Sequence, residues 1–253
     1  MHGAEEARPG VLIVNADDWG RDRETTDRTL DCILCRSVSS VSAMTFMEDS
    51  ERAAAIARDH GIDAGLHLNF TLPFSASGTP SQLVTHQQRL SHYLLKHRLF
   101  QAVFHPGLIR SFEYVVKAQR REFDRLYGRE PERIDGHHHM HLCANVLVSG
   151  LLPRGIIIRR NFTFQSGEKS IVNRIYRKAI DSMLATRHRI ADYLFSLPPL
   201  EPPERIERIV HLARRSAVEV ETHPVDPAEY RFLMDEANFS RIGGIQIARA
   251  YKL

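Results

Sequence analysis

The chain alternates short apolar runs with stretches of helical periodicity. VLIVNA (11–16) is an apolar run closed by Asp17 and Asp18, the pattern of a buried strand. RDRETTDRTLDCILCR follows with the spacing of an amphipathic helix. VSSVSAMTF (38–46) alternates and is rich in β-branched residues, which predicts a second strand. DSERAAAIARDHG predicts a helix with Asp or Ser at its cap and Gly at its stop. IDAGLHLNFT (62–71) reads as a third strand, and LPFSASGTPSQLVTH (72–86) as a loop long enough to suggest a functional or mobile role. Two helices are expected over 87–102 and 107–127. PERIDGHHH then supplies a strand and its exit, GIIIRR (155–160) another strand, 168–186 a helix and IADYLFSL a strand. PPERIERIVHLARRS is a helix with prolines at its start, and AVEVETHP a last strand.

Strands alternating with helices imply βαβ units and a parallel sheet. About seven such units in 253 residues suit an α/β, distorted TIM-like (β/α) barrel folded as one domain. Residues 1–9 read as a loose N-terminal tail and 10–253 as the domain. No linker or internal repeat divides the chain, and neither glycine-rich nucleotide fingerprint occurs.

Composition narrows the function classes. A hydrophobic fraction of 43% and a charged fraction of 26% exclude disorder as the default. The net charge of +3 is spread along the chain, which argues against a nucleic-acid surface. No run approaches the length of a membrane span, and MHGAEEARPG lacks the apolar segment of a signal peptide, so a cytoplasmic protein is expected. The three cysteines do not suit a disulfide framework. Cys32-x-x-Cys35 is open to a redox or metal reading, but it lies in a helical pattern and reads better as buried helix cysteines.

The chemistry-bearing residues gather at strand ends. Asp17 and Asp18 follow the first strand, His67 lies in the third, Asp135 and His137 follow ERI, and His223 follows AVEVET. In parallel α/β folds, ligands and catalytic groups collect at that rim. Imidazoles and carboxylates there suit a divalent metal with open positions, and a spare carboxylate suits a general base. Taken alone, Asp17-Asp18 fits a helix cap or an Asx turn equally well.

NADDWG, GLHLNF and DGHHHMH, in this order, resemble the YdjC-like carbohydrate deacetylases, a group that includes chitooligosaccharide and hopanoid-associated deacetylases. The resemblance runs from Val11 to about Pro224. It implies removal of acetyl groups from N-acetylated sugars or oligosaccharides with one divalent metal ion, magnesium or zinc. By motif position it makes Asp18, His67 and His137 metal ligands, Asp17 the general base and His223 the general acid. Arg159 is similar to a family arginine near the site, with Arg160 competing for the position. The family often forms dimers, so a homodimer is implied.

Three departures stand out. Val225 follows His223-Pro224 where the family usually has glycine, Trp19 stands where phenylalanine is common, and the 72–86 loop has its own sequence. Trp19 is open to stacking on a sugar or to packing in the core. Within the histidine run an extended chain would turn His138 away from His137 and His139, leaving His139 and His141 to orient ligands or touch substrate. Two other readings stay open: a metal-dependent deacylase or amidohydrolase acting on a non-sugar, and a non-catalytic carbohydrate-binding relative.

Overall fold

A computed structural model describes residues 10–164, 168–235, 238, 247–251 and 253. The tail expected at 1–9 lies outside the described residues. The strands are β1 (Val11–Trp19), β2 (Ser40–Ala43), β3 (Ala64–Leu68), β4 (Arg133–Gly136), β5 (Ile157–Ile158), β6 (Tyr193–Ser196) and β7 (Ala217–Thr222). Between and after them lie α1 (Arg23–Leu34), α2 (Ser50–His60), α3 (Ser81–Lys96), α4 (Ile109–Tyr127), α5 (Ala144–Val148), α6 (Ile171–Ala185), α7 (Glu204–Ala213) and α8 (Pro227–Met234).

All seven strands are parallel and run in the order β5-β4-β3-β2-β1-β7-β6. Each strand but β5 pairs with the next in sequence, and β1 pairs with β7, which is the cyclic order of a (β/α) barrel left open between β5 and β6. The weak seam is between β5 and β6. There Ile158 N–H donates to the Arg189 carbonyl at 2.9 Å and Thr163 N–H to the Leu194 carbonyl at 2.8 Å. The fold is thus a curled, distorted TIM-like sheet with flanking helices.

Period-two alternation sorts every strand. Leu12, Val14 and Ala16 of β1 join Val41, Leu66, Ile134, Val218 and Val220 in the buried apolar cluster shared with the helices. The opposite face is polar: Asn15 and Asp17, Ser40 and Ser42, His67, Arg133 and Asp135, Arg159 just past β5, and Glu219 and Glu221 are all buried. A barrel interior is commonly filled by branched apolar side chains. Here it is filled by hydrogen-bonded polar groups, which can be buried because they satisfy one another. Arg133 donates to Asn15 Oδ1 at 2.7 Å and to the Val41 carbonyl at 2.9 Å. Tyr251 packs with Ile13 and Ile157 below this network.

The helices obey simple local rules. Asp22 caps α1 by accepting the Thr25 N–H, and Gly61 ends α2 in the left-handed conformation that glycine adopts without strain. The long loop expected over 72–86 is shorter than its sequence suggested. Its second half forms the first turns of α3, because Leu83, Gln87, Leu90 and Leu94 make a buried stripe at helical spacing. The expected run of helix to 102 ends instead at Lys96, followed by a 3-10 turn. Strands read as 38–46, 62–71 and 155–160 shrink to their paired cores. Cys32 is buried in α1 but Cys35, at its end, is exposed, so only one of the pair is a buried helix cysteine. Among the described residues no helix is long and apolar enough to cross a membrane.

Gly65 keeps the polar interior closed. A Cβ there would meet Arg133 Cζ at 2.8 Å, and Arg133 is held by its own hydrogen bonds. Gly65→Ala is expected to cost about 1–3 kcal/mol of stability, measured by urea denaturation; an unchanged midpoint would show that Arg133 shifts freely.

Candidate active site and metal centre

The site is built where β1 stops being regular. In an extended strand successive side chains point to opposite faces. Asp18 breaks this rule: its φ is +63°, and the β1–β2 register shifts between Ala16 and Trp19. A positive φ is costly for a residue with a side chain, though aspartate tolerates it better than most. The kink aims both carboxylates at one ring. His67 Nε2 lies 3.4 Å from Asp18 Oδ1, and His67 Nδ1 lies 3.9 Å from Asp17 Oδ2.

Asp135 fixes that ring. His67 Nδ1 is 2.8 Å from Asp135 Oδ1. Burial raises the Asp135 pKa, but the Arg159 charge and the bond to His67 outweigh it and hold the carboxyl far below its usual range. An ionised carboxylate only accepts, so His67 Nδ1 carries the proton and Nε2 is the nitrogen turned toward Asp18. Burial alone would lower the His67 pKa; Asp17, Asp135 and Asp18 together push it up to about 10. The surroundings of Nε2 therefore favour a positive charge there.

His137 completes the cluster. Its Nδ1 lies 3.0 Å from Asp18 Oδ1. Burial raises the Asp18 pKa, but bonds to His137 and His67 outweigh it and keep the carboxyl well below its usual value. One ligand atom from each of Asp18, His67 and His137 falls within 4.8 Å of the others. This two-histidine, one-carboxylate donor set suits a divalent cation with open positions. Asp18 Oδ2 is held separately by Arg21 at 2.7 Å.

Beside the cluster lies an ion network centred on Arg159, which is fully buried. Its Nη1 donates to Asp17 Oδ2 at 2.6 Å and its Nη2 to Asp17 Oδ1 at 2.7 Å, a bidentate pair. Its Nε donates to Glu219 at 2.7 Å, Nη1 also reaches Glu221 at 3.1 Å, and Nη2 lies 3.1 Å from Asp135. Burial raises the Glu219 pKa. Burial pushes Glu221 the same way, but His139 and Arg159 overcome it and lower its pKa to about 2. Asp17, Glu221 and His223 also bring one ligand atom each within 4.8 Å.

The model of the YdjC-like protein family matches residues 11–242. The chain belongs to this family. It is 31% identical over 170 residues to a chitooligosaccharide deacetylase of Enterobacter sp. (strain 638), covering 65% of this chain and 64% of that one. It is 32% identical over 141 residues to a chitooligosaccharide deacetylase of Serratia marcescens, covering 54% and 52%. A carbohydrate deacetylase of Danio rerio is 29% identical over 139 residues, covering 53% and 43%. The chain thus spans less than two thirds of the length of these relatives. A solved Enterococcus faecalis V583 structure, provisionally named a cellobiose-phosphate cleavage protein, matches with a TM-score of 0.65 at 19% identity, covering 95% of this chain and 97% of that one. At that identity the likeness concerns the fold.

Several positions carry more than their sequence suggested. The histidine run is not extended: His137–Leu142 forms a 3-10 turn in which His138 and His139 have φ of +55° and +56°. His138 therefore stays beside the site, its ring 4.1 Å from that of His137 and its Nδ1 3.3 Å from the Thr71 hydroxyl. His139 Nε2 meets Glu221 at 3.0 Å, and His141 is buried, its Nε2–H donating to the Arg159 carbonyl at 2.9 Å. Burial lowers the His141 pKa to about 3, so the ring is neutral. Trp19 has no exposed surface and packs in the core, so the option of stacking on a sugar fails. Arg159 and not Arg160 faces the site; Arg160 pairs with Asp181 of α6. Val225 does not need glycine's freedom, since it lacks a positive φ, and Arg28 holds its carbonyl at 2.8 Å.

Glu219 and Glu221 escaped the sequence reading, and Asp135 was seen without a role. The signal was present in VEVE and RID: charged residues at every second position of an otherwise apolar strand. Asp135→Asn removes the charge behind His67. It is expected to weaken divalent-ion binding by about 10–100-fold, measured by isothermal titration calorimetry, while His138→Ala leaves that affinity within about threefold.

Proposed function

We propose that this chain is a metal-dependent carbohydrate N-deacetylase. One observation carries the reading: a second carboxylate, Asp17, is held rigidly beside a two-histidine, one-carboxylate cluster at the barrel rim. The names of the relatives in this family support an N-acetylated sugar or oligosaccharide as substrate.

In this reading Asp18, His67 and His137 hold one divalent ion, magnesium or zinc. Such an ion, when bound, supplies a water of lowered pKa and polarises the acetyl carbonyl. Asp17 is the general base. Arg159 fixes both its oxygens and Asn15 donates a second bond to Oδ1 at 2.9 Å, so Oδ2 keeps the lone pair that receives a proton. His223 is the general acid for the departing amine, its backbone N–H anchored on Glu229 at 2.9 Å. Glu221 sits beside it as a compensating charge. Arg159 and Asp135 hold Asp17 and His67 in place and exclude water from beneath them.

The test is acetate release from a panel of N-acetylated sugars, oligosaccharides and simple acetamides, with and without added magnesium or zinc. Turnover is expected on sugars, to vanish on chelation, and to fall about 10²–10⁴-fold in Asp17→Asn while divalent-ion binding persists. Full activity in Asp17→Asn would overturn the base assignment. Acetamide turnover without sugar turnover would overturn the carbohydrate reading.

A further inference from the structure

α6 carries apolar residues on its outward face as well as its inward one. A surface helix normally turns apolar residues inward and polar ones to water. Here the inward face packs Ile180 and Leu184 against the core and adds polar bonds: Asp181 accepts from Arg160 at 2.8 Å and from the Asn161 backbone at 3.0 Å, and Arg177 lies over the Phe164 ring. The outward face is apolar. Ile171 is 73% exposed, Val172 77% and Ile175 64%, with Met183 continuing the stripe and Tyr176 at its edge. Contiguous exposed apolar patches of this kind mark interaction sites.

The charges decide what the patch meets. The one acid in α6 is Asp181, which is buried and paired. The charged residues bordering the apolar face are Arg174 and Lys178, both exposed and both cationic. A second copy seated there would bring the same cations and no acid from this helix. An anionic lipid surface would complement them, and an aromatic edge residue suits the same boundary.

We propose that α6 docks the protein on an anionic bilayer, its apolar face entering the acyl boundary while Arg174 and Lys178 meet lipid phosphates. The helix is tied toward the candidate active site through Phe164, whose ring lies under Arg177 and 6.3 Å from that of Phe162. The β5–α6 connection holds Arg159 and also Phe162, whose ring lies 4.4 Å from that of His139. Docking through α6 would hold the mouth of the site at the lipid surface. This proposal stands apart from the deacetylase reading, and its test reads no activity.

The purified protein is floated with vesicles of phosphatidylcholine alone or mixed with phosphatidylglycerol, at low and high salt. Flotation is expected with the anionic vesicles only, and to weaken as salt rises. Val172→Ser with Ile175→Ser should abolish it without changing the melting temperature, because both side chains face solvent. Arg174→Glu with Lys178→Glu should weaken it by about tenfold or more. Failure of the wild type to float with anionic vesicles overturns the proposal, as does flotation indifferent to Val172→Ser with Ile175→Ser. Light scattering that finds a dimer split by the same two serines would assign the patch to self-association instead.

Discussion

One buried guanidinium organises the interior of this barrel. Arg159 touches carboxylates from β1, β4 and β7: Asp17, Asp135, Glu219 and Glu221. A lone buried charge is heavily penalised, and removing one partner of a buried pair costs about 3–5 kcal/mol. The network is therefore tolerable only when all of its members are present and in register. Strand pairing supplies that register, with Asn15 opposite Glu221, Ile13 opposite Glu219 and His67 opposite Asp135. His141 adds a hydrogen bond to the Arg159 carbonyl from the turn above. Arg133 answers the same demand one layer lower, where its guanidinium stacks on Tyr251 and bonds to Asn15.

This arrangement divides labour between acids of the same type. Asp135 is spent on orienting His67, Glu219 on Arg159 and Tyr251, and Glu221 on Arg159 and His139. Asp18 faces two imidazoles, and Asp17 stands between the cationic fork and the open cluster. The raised proton affinity of His67 follows from being encircled by Asp17, Asp18 and Asp135. A pocket that favours a proton this strongly would favour a divalent cation for the same electrostatic reason.

Backbone strain lies where the chemistry is proposed. Among the described residues, Asp18, His138 and His139 are three of the five positions with positive φ that are not glycine. Strain of this kind costs on the order of 1–3 kcal/mol per residue and persists only when surrounding contacts over-determine it. Asp18 is pinned by Arg21, His67 and His137, and His139 by Glu221 and Phe162. Gly136, which precedes the turn, has room for no Cβ beyond 3.1 Å from His141 and Leu68, so the chain can fold back tightly there.

The sequence by itself determined the alternation of strands and helices, the parallel barrel, the family motifs and the strand-end position of Asp17, Asp18, His67, His137 and His223. These are properties of local periodicity and of order along the chain, which need no knowledge of partners. The tertiary structure alone decided which side chains meet. An apolar run such as VLIVNA shows burial but not that Asn15 and Asp17 face a polar interior, because the inward face is defined by strands far away in sequence. IDGHHHMHL shows four histidines, but only two successive left-handed residues place His138 against His137 and His139 against Glu221. GIIIRR offers two arginines, and the parity of a two-residue strand sends Arg159 to the carboxylates and Arg160 to α6. Periodicity marked α6 as a helix without showing which face would be left in solvent, since that depends on how the helix lies against the barrel.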